Sequence, residues 1–177
     1  MLLKSFDMKE IILKELNVSM VSSKYLQWMK SKNIMRYTEQ RFEKHSILKI
    51  IDYIKAIKLS KNNYAYGIFF IINNQKIHVG NIKLGSINFK HKYADISYFI
   101  GDIKFQKLGI GTIAIKKVLE IAKKKFKLKK IFAGIYSNNV KSKKVLLKNK
   151  FVLEGTFEKK FIYENKRIAE LVYSKNI

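Results

Sequence analysis

The residues best placed to do chemistry form the segment Gln106-Lys107-Leu108-Gly109-Ile110-Gly111, between a strand-like run and an amphipathic helix. Glycine at two positions lets a backbone approach a ligand closely. The first N–H groups of the following helix lack intrahelical acceptors and carry the positive end of the helix dipole. Such a cradle binds anions, and a pyrophosphate would fit it. The segment therefore predicts a site for a phosphorylated ligand.

Two common phosphate-binding motifs do not describe this segment. The dinucleotide fingerprint needs a third glycine, and the phosphate loop needs Gly-Lys-Ser/Thr. Two glycines alone also leave an ordinary tight turn as the alternative. A second segment, Asn139 to Phe151, reads Asn-Val-Lys-Ser-Lys-Lys-Val-Leu-Leu-Lys-Asn-Lys-Phe. Together the two segments resemble the Arg/Gln-x-x-Gly-x-Gly/Ala loop and the Asn-x-x-Ser/Ala-helix-Lys-x-Gly-Phe segment of the GNAT family of N-acetyltransferases.

The resemblance extends from about Ile11 to Ser174 and implies acetyl-CoA as co-substrate. In similar proteins the strand before the loop offers backbone groups to pantetheine, and the loop holds the pyrophosphate. The asparagine of the second segment binds pantetheine or the thioester. Lys144 would reach a phosphate, with an exposed helix lysine as the alternative. The acetyl-CoA residues that the resemblance implies are Tyr98, Phe99, Ile100, Gln106, Lys107, Leu108, Gly109, Ile110, Gly111, Thr112, Asn139 and Lys144.

The reaction implied by the resemblance needs a neutral amine and a proton donor for the leaving thiolate. Many relatives carry a tyrosine donor at the position of Leu146, which cannot donate. Ser142 occupies the other recurrent position and is the predicted donor, with a small helix-packing residue as the alternative. Glu39 and Asp95 are the candidate bases, and solvated surface or structural hydrogen bonding is the alternative for each. Lys150, where glycine is usual, predicts a different end for the second helix.

The acceptor prediction depends on the segment from Tyr25 to Phe42. It resembles enzymes that acetylate the amine of a nucleotide-linked amino sugar in bacterial surface-glycan synthesis. Trp28 and Tyr37 would stack on a base or sugar, and Arg41 would pair with a diphosphate. A core anchor is the alternative for Trp28. An N-terminal acetyltransferase of a ribosomal protein is the enzymatic rival, supported by the serine donor. Polyamines are disfavoured because a chain of net charge +24 repels cations.

Composition restricts the other function classes. The 37 basic residues include three arginines, which leaves 34 lysines, spread along the whole chain. Base readers favour arginine, so a basic nucleic-acid-binding module is the weaker, non-enzyme alternative. The absence of cysteine and the spacing of the three histidines predict no metal site. No apolar run suits a signal peptide or a membrane span, which predicts a cytoplasmic protein without a membrane partner. The expected partner is a small-molecule amine, and the expected state is a monomer or homodimer.

Periodic patterns predict the elements that must position these residues. They indicate one domain, 1–177, with the order β-α-α-β-β-β-α-β-α-β-β. The predicted helices are one capped by Ser22 or Ser23, one over 46–59, one beginning near Gly109 and one over 139–148. The predicted strands cover 10–18, 64–72, 76–88, 93–100, 130–136, 151–162 and 167–173. The expected class is α/β (α+β): a GNAT fold with about four helices around a twisted, mostly antiparallel sheet of about seven strands. Its one parallel pair, 93–100 with 130–136, is expected to form a right-handed crossover and to splay into a cleft, which similar proteins use for the pantetheine arm.

Overall fold

A seven-stranded sheet organises residues 11–177, the part of the chain that the computed structural model describes. The strand order is β1-β2-β3-β4-β5-β7-β6, and only β4 and β5 are parallel among these neighbours. The strands are β1 (Ile11–Glu15), β2 (Tyr64–Ile72), β3 (Gln75–Leu84), β4 (Tyr93–Ile100), β5 (Lys130–Tyr136), β6 (Val152–Tyr163) and β7 (Lys166–Asn176). The predicted class and strand number are confirmed.

Among residues 11–177 five α-helices flank the sheet, one more than predicted. They are α1 (Ser23–Lys30), α2 (Lys32–Met35), α3 (Ile47–Leu59), α4 (Ile110–Lys124) and α5 (Val140–Lys148), and a 3-10 helix spans Glu39–Phe42. The additional helix, α2, lies where an irregular segment is predicted. Its four residues are too few to show an apolar period, and only the cap from Ser31 to the N–H of Ile34 marks it. Within 11–177 no helix is long and apolar enough to cross a membrane.

Strand bounds agree with the prediction where local residue types decide them. β2, β4 and β5 have the predicted bounds because β-branched and aromatic runs are closed there by turn residues. β3 ends at Leu84, not at the predicted Asn88, because Gly85 adopts a φ of +150° that a strand cannot continue through. The predicted start of β1 at Glu10 lies outside the described residues.

Helices cover both faces of the sheet. α4 buries its apolar stripe in the main core, and α1 and α3 pack in a second cluster around Trp28 and Ile54. Ala65 and Tyr66 are successive residues of β2, and they belong to different clusters. This assignment follows from the alternation of side chains along a strand. The sheet therefore separates an α4–α5 side from an α1–α3 side.

The parallel pair β4–β5 separates along its length. Only three residue pairs are in register, from Tyr93 with Lys130 to Asp95 with Phe132. Beyond them, within the described sheet, residues 96–100 of β4 have no strand partner on the edge that faces β5. The gap between residues 96–100 and 133–136 is called the wedge below. The predicted splay is confirmed, and it leaves free backbone groups along one strand edge.

The prediction that Lys150 gives α5 an unusual end is wrong. Lys150 adopts a φ of +61°, the left-handed conformation that glycine would supply at this position. The N–H of Phe151 donates to the carbonyl of Leu146 at 3.1 Å and closes the turn. The helix therefore ends as a glycine-capped helix does. Lysine in this conformation costs about 1 kcal/mol.

Candidate functional site

A cleft of about 820 Å³ occupies the wedge, within the size range of small-molecule sites. Side chains from the α4–α5 side, the α1–α3 side and the exposed segment 37–45 line it. That segment, which contains the 3-10 helix, is called the rim. Lining residues with polar groups include Tyr37, Glu39, Lys44, Asn81, Lys83, Ser97, Tyr98, Tyr136, Asn139, Ser142, Lys160 and Glu170.

The cleft is open to both sides of the sheet because β4 side chains alternate along the wedge. Tyr98 points to the α4 side, where its ring lies against Gly111. Phe99 points to the opposite side, and its ring centroid is 6.5 Å from that of Tyr25 and 6.3 Å from that of Trp28. Two ligands entering from opposite sides would therefore meet in the wedge.

The predicted anion cradle has free backbone donors. Gly109 precedes α4 with a φ of +80°, and Lys107 also has a positive φ, +64°. No atom lies within 4 Å of the position where Gly109 would carry a Cβ, so only its backbone conformation calls for glycine. In the described chain, the N–H groups of residues 109–112 have no hydrogen-bond acceptor. These four donors at a helix N-terminus fit a pyrophosphate.

The other residues of the loop have structural contacts. The Gln106 Nε2 donates to the carbonyl of Ile100 at 3.0 Å and ties the loop to the end of β4. Ile110 is buried in the main core, and Leu108 packs against it, so only their backbone groups face outward. Thr112 accepts a hydrogen bond from Asn149 on its carbonyl at 3.2 Å. Side-chain contact with a ligand is therefore not the role that the structure indicates for Gln106.

Gly111 has a different role from Gly109. It is buried, and a Cβ there would lie 2.9 Å from Cε2 of Tyr98. The second glycine of the motif thus makes room for an aromatic ring of the protein itself. The sequence predicts close approach of a ligand at both glycines, and for Gly111 that explanation is incomplete.

The α4–α5 wall carries the predicted donor. Asn139 caps α5 by accepting from the N–H of Ser142 at 3.2 Å, which leaves its amide nitrogen to donate elsewhere. Ser142 is half-buried and lies beside the phenol of Tyr98. Burial raises the pKa of Tyr98, and the hydrogen bond to Ser142 lowers it by a smaller amount. Leu146 is buried in the core, whereas Lys144 is exposed and does not line the cleft.

The rim is tied to the wedge through Tyr136. Its hydroxyl donates to Oε1 of Glu39 at 2.6 Å, and its ring stacks on Phe161 with centroids 4.0 Å apart. Burial, followed by the neighbouring Glu39 carboxylate, raises the pKa of Tyr136 to about 12. Tyr136 is therefore a stable proton donor that holds Glu39 at the cleft. Tyr37 lines the cleft too, stacked on Tyr163 at 5.2 Å.

Asp95, the other candidate base, does not line the cleft. It occupies the last paired position of β4, where the wedge begins. Burial raises the pKa of Asp95, and the negative charge of Glu170 raises it further. The structure therefore brings Glu39, and not Asp95, to the wall of the cleft.

Two residues predicted to contact the acceptor have other surroundings. Trp28 is 5% exposed and does not line the cleft, because its indole fills the space above Gly101 and beside His78. The Arg41 guanidinium donates to the carbonyls of Arg36 and Ile162 and lies over aromatic rings. Trp28 is a core anchor, the alternative that the sequence left open. Arg41 joins the rim to β6, and these carbonyls occupy donors that a diphosphate would need.

Glu170 lines the cleft although no sequence pattern predicts it. Its carboxylate lies over Gly134 in the wedge, in the space that a Cβ on Gly134 would take. Its side chain is 13% exposed and pairs with Lys160 of β6. Nothing in the sequence separates this residue from the other acidic residues, because its proximity to β5 arises only from sheet pairing. Within 11–177 no cluster of His, Cys, Asp and Glu could hold a metal ion.

Comparison with known proteins agrees with this architecture. A family model described as an acetyltransferase (GNAT) domain matches residues 11–152. No curated protein sequence matches the chain. The spermidine N-acetyltransferase from Vibrio cholerae, in complex with CoA and spermine, superposes with a TM-score of 0.83 at 19% identity. That alignment covers 95% of this chain and 96% of the other.

Two further solved structures are similar over nearly their whole length. The microcin C7 self-immunity acetyltransferase MccE, in complex with acetyl-CoA and AMP, has a TM-score of 0.82 and 22% identity, and the match covers 98% of this chain and 95% of that one. The ribosomal L7/L12 alpha-N-protein acetyltransferase RimL, in complex with CoA, has a TM-score of 0.82 and 17% identity, covering 95% and 94%.

Proposed function

This chain belongs to the GNAT family, and we propose that the amine it acetylates is that of a nucleotide-linked amino sugar. It is an acetyl-CoA-dependent N-acetyltransferase, as its family requires. The N–H groups of residues 109–112 would hold the pyrophosphate of acetyl-CoA. The free edge of β4 over Tyr98, Phe99 and Ile100 would pair with the pantetheine arm, and the Asn139 amide would hold it near the thioester. The acetyl group would then lie in the wedge.

The charges that line the acceptor side of the cleft carry the proposal. Carboxylates of Glu39 and Glu170 flank the wedge, where an amine must enter. Lys44 and Lys49 are exposed at the outer edge, with the half-buried His45 between them. A ligand with an amine at one end and phosphates at the other matches this order of charges. Lys44 and Lys49, rather than Arg41, would then bind the diphosphate.

The structure of the microcin C7 enzyme supports a nucleotide, because that protein holds AMP together with acetyl-CoA. The spermidine acetyltransferase holds spermine, but the cleft of this chain offers a polycation little net attraction. Four lysines line it, Lys44, Lys49, Lys83 and Lys160, against three glutamates, Glu39, Glu43 and Glu170. The formal sum is +1, with His45 neutral. An amine that also carries anionic groups fits this lining better than a polyamine does.

The proposed reaction is a direct transfer. The neutral amine nitrogen attacks the thioester carbonyl carbon, a C–N bond forms and the C–S bond breaks. Glu39, held by Tyr136, accepts the proton that the amine loses, directly or through water. The leaving thiolate takes a proton from Ser142 on the α4–α5 wall; Ser142 regains a proton from water, and Glu39 releases the amine's proton to water. The products are the N-acetylated amine and free CoA.

A thiol-release assay over three acceptor classes tests the proposal. The panel contains UDP- and dTDP-linked amino sugars, N-terminal peptides of ribosomal proteins, and spermidine with spermine. We expect the highest kcat/KM for a nucleotide-linked amino sugar, and a decrease when Lys44 and Lys49 are both changed to Gln. If the peptides alone are acetylated, the chain is an N-terminal acetyltransferase. If polyamines alone are acetylated, the charge argument is wrong.

Ser142→Ala separates the proton-donor assignment from the family assignment. We expect kcat to fall on the order of a hundredfold while the acetyl-CoA affinity measured by calorimetry stays unchanged. Ser137→Ala, at the end of β5 and outside the cleft lining, is the matched control. Unchanged turnover in Ser142→Ala would remove this residue as the donor and leave the acetyltransferase function intact.

A further inference from the structure

Three lysines that are distant in the chain form a cluster on the α4–α5 side of the sheet. They are Lys116 of α4, Lys150 at the end of α5 and Lys175 of β7. Lys175 points to this side because Tyr173, two residues before it on the strand, is buried in the main core. Lys116 and Lys150 are exposed, and Lys175 is half-buried. None of the three lines the cleft.

The buried side chain of Asn149 joins this cluster to the first turn of α4. Its Nδ2 donates to the carbonyl of Thr112 at 3.2 Å, and its own carbonyl accepts from Nζ of Lys175 at 2.7 Å. Lys150 follows Asn149 directly in the chain, and Lys116 lies one helical turn after Thr112. The cluster therefore lies next to the turn that carries the N–H donors of residues 109–112.

The cluster lacks a negative charge of its own. Burial lowers the pKa of Lys175, and the positive charges of Lys150 and Lys116 lower it further. Among residues 11–177 no carboxylate forms an ion pair with Lys150 or Lys175. An anion between these ammonium groups would favour the charged form of each. Bringing three like charges together is unfavourable for the chain alone, and a bound anion would reverse the sign of that interaction.

The residue type at position 150 supports a role for the charge. Lys150 adopts a φ of +61°, a conformation in which glycine is unstrained and lysine is not. Similar proteins carry glycine at this position. A strained residue persists where the surrounding structure or the function requires it. What lysine adds at this position is a cation beside Lys175.

We propose that Lys116, Lys150 and Lys175 bind the 3′-phosphate of CoA. The inference rests on the proposed placement of the CoA pyrophosphate at residues 109–112, and not on the acceptor. Outside its pyrophosphate, CoA has one phosphate group, on the 3′ oxygen of its ribose, and that group carries up to two negative charges at pH 7. Lys116 lies about 6 Å along the helix axis from Thr112, so the cluster is one turn from the pyrophosphate donors.

Such a subsite makes the chain discriminate between CoA and dephospho-CoA, which lacks the 3′-phosphate. A general attraction must be separated from it. Residues 103–153 contain fifteen lysines and one acidic residue, Glu120, and their field attracts every phosphate of CoA from a distance. A direct contact differs from this field, because it is lost with particular lysines and kept when others are changed.

Calorimetric titrations with CoA and with dephospho-CoA test the proposal. The measured quantity is the ratio of the Kd for dephospho-CoA to the Kd for CoA, at low ionic strength, where screening is weakest. We expect a ratio on the order of tenfold in the wild type. It should fall on the order of threefold in Lys150→Gly and in Lys175→Gln, and further in the double variant.

Each substitution has a matched control. Lys127 also has a positive φ, +55°, but it lies beyond the far end of α4, so Lys127→Gly matches Lys150→Gly. Glycine relieves the left-handed conformation in both, and neither variant should lower the urea midpoint. Lys166→Gln, at the opposite end of β7, matches Lys175→Gln. Both controls should keep the wild-type ratio.

Two results would overturn the proposal. One is an unchanged ratio in Lys150→Gly and Lys175→Gln, and the other is an equal decrease in the two controls, which the general field would produce. Because Lys150→Gly is expected to be as stable as the wild type, a lower ratio in this variant does not arise from unfolding.

The same titrations separate this inference from the proposed function. Gly109→Ala should weaken CoA and dephospho-CoA by the same factor and leave their ratio unchanged, because it alters only the pyrophosphate donors. If no amino sugar is acetylated while the cluster variants lower the ratio, the proposed acceptor is wrong and this inference stands. If amino sugars are acetylated and the ratio does not change, this inference alone is wrong.

Discussion

Gly111→Ala should move the ring of Tyr98, a residue of the cleft wall. The new Cβ would lie 2.9 Å from Cε2 and 3.5 Å from Cζ of that ring. Carbon atoms prefer separations of about 3.5–4.0 Å, so the ring must retreat by at least about 0.6 Å. Overpacking of this kind costs about 1–3 kcal/mol. Alanine recovers about 0.5–1 kcal/mol over glycine inside a helix, so we expect a net destabilisation of about 1–2 kcal/mol.

Gly109→Ala provides the contrast two residues away. Nothing lies within 4 Å of its Cβ position, but the φ of +80° is unfavourable for alanine by about 1–2 kcal/mol. The two variants should therefore lose similar stability for different reasons. Only the stability loss of Gly111→Ala should depend on the ring of Tyr98. In the double variant with Tyr98→Leu, which removes Cε2, we expect a coupling energy on the order of 1 kcal/mol. For Gly109→Ala the coupling should be zero within about 0.5 kcal/mol.

Urea unfolding, followed by the fluorescence of Trp28, the one tryptophan, measures both cycles. Calorimetry with acetyl-CoA adds a second readout. Gly109→Ala should weaken binding, because an altered φ redirects the N–H donors of the loop. Gly111→Ala should reduce kcat more than affinity, because Tyr98 lies beside Ser142. Equal coupling of both glycines to Tyr98 would refute the separate roles assigned to them.

Three further predictions use single substitutions. Tyr66→Phe removes a buried hydroxyl that has no hydrogen-bond partner within residues 11–177, so urea unfolding at pH 7 should show no loss of stability. A loss above about 1 kcal/mol would mean that the hydroxyl is paired. Burial raises the pKa of Tyr66 to about 12, above its ordinary 10, so between these values the native state keeps a proton that the unfolded chain loses. The free energy of unfolding of the wild type should therefore fall from pH 10 to 12 more steeply than that of Tyr66→Phe. Parallel curves would contradict the pKa shift. Gly134→Ala should displace the Glu170 carboxylate and lower kcat/KM for the acceptor at unchanged acetyl-CoA affinity. The fold should lose little stability, because only the end of a flexible side chain must move. An unaltered kcat/KM would exclude Glu170 from the acceptor site. Tyr136→Phe removes the 2.6 Å hydrogen bond to Glu39 and should raise the acceptor KM several-fold, whereas an unchanged KM would show that the rim holds its position without it.

Features that depend on residues adjacent in the chain could be predicted from the sequence. The glycine loop before α4 and the strands β2, β4 and β5 follow from local residue types, whereas the splay of β4 and β5 was expected from the order of elements and the family resemblance. The identities of Trp28 and Arg41 did not reveal their surroundings, because aromatic and guanidinium groups suit a core and a ligand site equally well. In the structure, carbonyls and rings of the protein surround both of them. Glu170 and Asn81 carried no signal, since only sheet pairing brought them to the cleft.

Local sequence was sufficient to predict the proposed acetyl-CoA side of the cleft. The donors of residues 109–112 lie in one continuous segment, and their geometry depends on a glycine with positive φ and on the start of a helix, both of which are local properties. The proposed acceptor side depends on long-range contacts that no local sequence pattern contains. Its residues come from β3, β4, β5, β7 and the rim, and they meet because a sheet places strands side by side irrespective of their distance along the chain. Which carboxylates line the cleft is a consequence of that packing.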